Sequence, residues 1–128
     1  MSPQHASLSP ERWSSFSFDR QILMIGNEMN RASKLLGPAD RDRLLLCYER
    51  VLALIDLTVR VQERPARRRE LLRWRDLVAS LFIGDASEPL AHARAFRCLL
   101  QMTPDSAAQI PLIMATYRPG TPSQPRVR

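Results

Sequence analysis

A chain of 128 residues, 45% apolar and 25% charged, is the size of one soluble domain with one core. Four glycines exclude a glycine-rich phosphate cradle, two cysteines exclude a disulfide scaffold, and two distant histidines exclude most metal and triad chemistry. The net charge is +6, carried by 18 arginines and the single lysine Lys34, so an acidic partner is worth considering.

Residues 1–8 are polar and read as a flexible N-terminus. Ser9-Pro10-Glu11 signals a helix start, because proline is favoured at the first helical position, and one short turn carrying Trp13 follows. Ser17 is a second N-cap, with Asp19 in the first turn where the helix dipole favours an anion. A long helix is then expected from Phe18 to Leu36. Its apolar residues Phe18, Ile22, Ile25, Met29, Ala32 and Leu36 recur at alternating gaps of four and three, a stripe facing one partner surface. Gly37-Pro38 ends it.

A second helix is expected from Ala39 or Asp40 to Glu63. It is apolar over most of its circumference, which marks a central helix, and its narrow polar stripe is Asp42, Glu49, Asp56 and Glu63. A third helix reads from Ala66 to Ile83, with Leu71, Trp74, Leu77, Val78, Leu81 and Phe82 as its apolar line. A fourth reads from Glu88 to Gln101, capped by Ser87, with Leu90, Ala93, Phe96, Leu99 and Leu100 inward. Thr103-Pro104-Asp105 opens a short fifth helix, which Pro111 should end. From residue 117 the composition is that of a disordered basic tail. No segment alternates with a period of two. The expected fold is all-α: an up-and-down bundle of four main helices over residues 9–116 with a short fifth helix.

The charge is unevenly placed. Residues 18–59 sum to zero, whereas residues 60–76 hold seven arginines against three carboxylates and residues 118–128 add three more arginines. Arg64, Arg67, Arg68, Arg69, Arg73 and Arg75 are therefore the candidate polyanion-binding residues. A cationic cluster at a helix N-terminus opposes the macrodipole, so a compensating carboxylate or a bound anion is called for. Trp74 beside these arginines suits base stacking, but it also fits the apolar line, and the weight falls on a core or interface anchor. The arginine-to-lysine ratio by itself is read as genome composition.

A second candidate constellation is polar and interhelical: Glu28 and Arg31 on the first long helix, Glu49, Arg50 and Asp56 on the second. If the faces meet, these residues form a partly buried ion-pair network, with a pocket for acid–base chemistry as the sharper alternative. Cys47 and Cys98 sit among leucines and read as small core residues in a reducing compartment. No metal, cofactor or catalytic residue is expected. Gly26 inside a helix reads as a close helix–helix approach. Residues 1–10 carry no apolar leader, and no apolar run is long enough for a membrane span, so a cytoplasmic location without membrane attachment is expected.

The segments 18–32, 48–58 and 69–75 resemble a group of short bacterial helical proteins that share an IGxExxRA helix, an ERxLxLIDLT helix and a basic RELLRxR helix. The resemblance brings no established activity; it implies that Gly26, Glu28, Arg31, Glu49, Arg50 and Asp56 matter to the group. The expected shape also distantly resembles the HEPN ribonucleases, whose working motif is an arginine followed by four to six residues and a histidine. Neither His5 nor His92 satisfies that motif. The resulting expectation is a non-enzymatic bundle that acts by macromolecular binding. Self-association as a homodimer or a protein partner is the leading form, because the first and second helices carry more apolar surface than one neighbour covers. Nucleic-acid binding through the third helix is the alternative, and an enzyme using interhelical carboxylates is the third.

Overall fold

The computed structural model describes residues 8–84 and 89–116, and every element among them is helical. In chain order these are α1 (Pro10–Ser14), α2 (Phe18–Ala32), a 3-10 turn (Pro38–Asp40), α3 (Arg41–Val61), α4 (Pro65–Ile83), α5 (Pro89–Leu100), α6 (Pro104–Ala107) and α7 (Ile110–Thr116). The expected flexible stretch 1–7, the Ser87 cap and the tail 117–128 lie outside the described residues. Leu8, read as part of the mobile N-terminus, instead packs partly buried against the core.

Capping chemistry accounts for the helix starts. The hydroxyls of Ser9, Ser17 and Thr103 accept from the backbone N–H groups of Arg12, Arg20 and Ser106, each three residues on, satisfying donors that the first turn leaves orphaned. α2 stops at Ala32, four residues before the expected end. There the Ser33 hydroxyl turns back to the Asn30 carbonyl and a tighter Leu35-to-Ala32 bond replaces the α-helical pattern. Pro111 does not terminate a helix; it lies in the first turn of α7, where its missing N–H would have no intrahelical partner. The free C-terminal end of α4 is closed from outside, by the Arg41 guanidinium donating to the Gly84 carbonyl at 2.7 Å.

Two contacts fix the helix directions. Arg41 opens α3 and reaches the end of α4, whereas Arg67 opens α4 and lies over the Phe18 ring that opens α2, at 4.4 Å. So α2 and α4 run one way and α3 the other. α3 packs on α1, α2 and α4, and α5 closes across α2 and α4. The central place read for the second helix is thus occupied by α3, whose buried residues are Leu44, Cys47, Tyr48, Val51, Leu54, Ile55 and Thr58.

The α2 stripe is covered within one chain: Ile22, Ile25, Met29 and Ala32 have no exposed surface. The ground for expecting a second copy on that face falls away, because α3 and α5 already bury it. α4 buries Leu71, Trp74 and Val78, but Leu77 is turned to solvent, outside the expected line.

Gly26 marks a close approach of α2 to α5. A Cβ added there would lie 3.5 Å from the Phe96 ring and 3.6 Å from Leu100, ordinary van der Waals contact. Gly26→Ala should therefore stabilise the protein by about 0.5–1 kcal/mol, the helix-propensity difference. A urea midpoint that falls on this substitution would show that Phe96 cannot accommodate the methyl group.

Candidate functional site

The arginines of α4 divide into two kinds. Arg75 is tied to Asp56 of α3 through Nε at 2.5 Å and Nη2 at 3.4 Å. Arg67 is half-buried with its guanidinium stacked on Phe18. Arg64, Arg68, Arg69 and Arg73 are exposed, and among the described residues none of them forms an ion pair. The first turn of α4 holds no acid, and Arg64 at its N-cap offers no side-chain acceptor, so the free N–H groups and the arginine charges point the same sign of potential outward. Trp74 faces inward and donates from Nε1 to the Ala95 carbonyl at 2.7 Å. It anchors α4 to α5 and offers no stacking surface.

The interhelical polar cluster splits. Glu28 is nearly buried and takes one oxygen to each of two arginines: Arg31 Nη1 at 2.9 Å and Arg50 Nε at 3.1 Å. Arg50 Nη2 also reaches Cys47 Sγ at 3.3 Å. Glu49 does not join them; it is exposed on the outer stripe of α3. Asp56 does not join them either, because its partner is Arg75 on α4. The carboxylates that an acid–base site would need therefore do not converge. Of the residues singled out by the resemblance, Gly26 serves packing, Glu28, Arg31 and Arg50 form one network, and Asp56 belongs to another.

The cysteines differ from each other. Cys47 is buried, and burial pushes its thiol pKa up against the lowering pull of Arg50, so it stays protonated at neutral pH. Cys98 is exposed, contrary to its reading as a core residue. On α5 the inward line is His92, Ala95, Phe96, Leu99 and Leu100, and Cys98 falls on the opposite side.

His92 is the polar residue whose role the sequence concealed. It has no exposed surface. Its Nε2 is 3.0 Å from the Met29 carbonyl, an acceptor only, so Nε2 carries the proton and Nδ1 accepts from the Tyr48 hydroxyl at 2.7 Å. Burial pushes its pKa down to about 4. This is a neutral, hydrogen-bonded core histidine joining α2, α3 and α5. The available signal was its spacing of three, four and seven from Ala95, Phe96 and Leu99.

Among the described residues no three of His, Cys, Asp and Glu converge as metal ligands, and no helix is long and apolar enough to cross a membrane. Comparison with protein-family models, with curated proteins and with solved structures finds no match to this chain.

Proposed function

We propose that this chain is a non-enzymatic helical bundle that works by binding, and that its working surface is the basic end of α4, which takes the phosphate backbone of a nucleic acid. The observation that carries the reading is the state of Arg64, Arg68, Arg69 and Arg73: exposed, without carboxylate partners among the described residues, and gathered over the N-cap and first three turns of α4, where the foremost of them oppose the helix dipole. A phosphate chain relieves that repulsion and accepts the arginine forks. The two unpaired cysteines, one of them exposed, support a reducing compartment such as the cytoplasm.

The reading has a specific form. Trp74 is the one aromatic residue in 60–76, and it is buried, so stacking on unpaired bases does not contribute. Binding then follows phosphate density and not sequence, and a duplex binds more tightly than a single strand of equal length. With four free arginines the log–log slope of affinity against salt should be no steeper than about −4. Fluorescence anisotropy between low and moderate salt checks this. Arg68→Glu with Arg69→Glu and Arg73→Glu should lower affinity by at least about tenfold, whereas a chain ending at Tyr117 should retain binding. Undiminished binding by the triple variant overturns the reading.

A second reading has one observation in its favour. Leu72, Leu77 and Ile83 on the same helix are largely exposed, and Leu72 lies among the free arginines. A protein partner with an acidic and apolar surface fits that mixture. Self-association lacks equal support, since the α2 stripe that suggested it is buried within one chain.

A further inference from the structure

A groove of about 360 Å³ opens where the end of α2 and the turn after it meet the first half of α3, at the other end of α3 from the α4 arginines. Arg31 of α2 and Lys34 and Leu35 of the turn that follows it line one side; α3 contributes Arg43, Leu46 and Arg50, with Cys47 beneath. The α3 residues are spaced by three, four and seven, so that helix turns one face to the groove, and the turn after α2 closes the other side.

The cations here outnumber their partners. Glu28 spends one oxygen on Arg31 and the other on Arg50, Asp40 takes Arg43, and Lys34 has no ion pair among the described residues. Arg50 is the group that points to a ligand. Its side chain is only 19% exposed, yet its protein acceptors are one Glu28 oxygen and the Cys47 sulfur, a weak acceptor. Among the described residues its Nη1 has no acceptor and is open to solvent, so an anion entering the groove can reach it. Beside these donors the wall is apolar: Leu35 is half-buried, and Leu46 is 53% exposed.

We infer that this groove binds a small organic oxyanion with an apolar body, its carboxylate or phosphate head held by Arg50 and Arg31 and its apolar part lying on Leu35 and Leu46. The volume is in the range of small-molecule sites, and apolar walls with a few convergent donors are their usual composition. The charge excess favours an anionic head over a neutral one, and the leucines give an apolar body more than a bare inorganic ion would find.

The test uses the full chain and three probes, octanoate, 1-octanol and inorganic phosphate, followed through backbone amide NMR shifts. Octanoate should saturate with shifts centred on Leu35, Leu46 and Cys47, at least about tenfold more tightly than either other probe, because only it meets both halves of the site. Leu46→Glu changes a side chain already half in solvent. It should weaken octanoate about tenfold through repulsion, with the urea midpoint held, while Leu46→Met keeps the affinity. Octanoate should leave the amides of Arg68, Arg69 and Arg73 unshifted, so this site and the nucleic-acid surface stand or fall separately. Octanoate binding no tighter than phosphate or octanol, shifts centred elsewhere, or undiminished binding by Leu46→Glu would each overturn the inference.

Discussion

Lowering the pH from 7 to 4 is expected to remove roughly 3 kcal/mol of stability through His92 alone, from its displacement from 6.5 to about 4. The sign follows from which state binds the proton first. The unfolded chain protonates His92 near 6.5, the folded chain only near 4, so the unfolded state is favoured progressively across that window. Above pH 7 the contribution is constant. The cause is geometric. His92 is sealed between Tyr48, Phe96 and the Met29 carbonyl, and Nδ1 is already filled by the Tyr48 hydroxyl at 2.7 Å. A second ring proton would displace that hydrogen bond and put a charge where water cannot reach it. Against a total of about 5–15 kcal/mol for a domain, the effect is large.

Two measurements isolate it. The His92 ring signals should titrate near 4 and not near 6.5. In urea unfolding, His92→Phe should be less stable at pH 7, because Tyr48 and Met29 lose a partner, yet its stability should vary little between pH 7 and 5. The comparison is needed because another pair runs the opposite way. Asp105 is raised by a hydrogen bond and charge from Asp19, and so adds stability as the pH falls toward the ordinary carboxylate range. If His92→Phe kept the wild-type slope, the acid sensitivity would lie outside this contact.

Helix positions were largely legible because they are set by local chemistry. Ser9, Ser17 and Thr103 cap where their side chains can reach an N–H three residues on, and no distant residue is needed to decide that. The rotation of α5 was less legible. Residues 90–95 contain three alanines, which mark an apolar face weakly, so a line through Leu90 and Ala93 competed with one through His92 and Ala95. The second line wins because His92 finds Tyr48 and the Met29 carbonyl across the interior, and both lie on other helices. Leu90 is exposed as a consequence, and Cys98 with it. The polar cluster was half legible for a related reason. Glu28 and Arg31 are neighbours by spacing alone. Whether Arg50 or Asp56 meets them depends on the axial register of α3 against α2 and α4, which spacing within one helix does not contain.

Trp13→Ala is expected to cost about 3–5 kcal/mol, the largest effect of any single substitution considered for this chain. α1 has five residues, far too few to hold a helix unaided. It exists because Trp13 is fully buried against α3, with Nε1 donating to the Thr58 hydroxyl at 2.9 Å. Thr58 in turn donates to the Leu54 carbonyl one turn back, so the indole completes a chain of hydrogen bonds inside the central helix. The Trp13 carbonyl accepts from Gln21 at 2.8 Å, and the Phe16 ring meets the indole edge-on at 5.9 Å, which ties α1 to α2 as well. Removing the indole leaves a cavity at the junction of three helices and one unused lone pair on Thr58. Trp13→Phe separates the two contributions: it fills much of the volume but loses the donor, and should cost about 1–2 kcal/mol. Urea midpoints of the two variants check the order. If α1 merely detached, amide exchange would quicken over residues 10–16 while the urea midpoint held. The full burial of Trp13 against Thr58 argues instead for loss of the whole core, with midpoint and protection falling together.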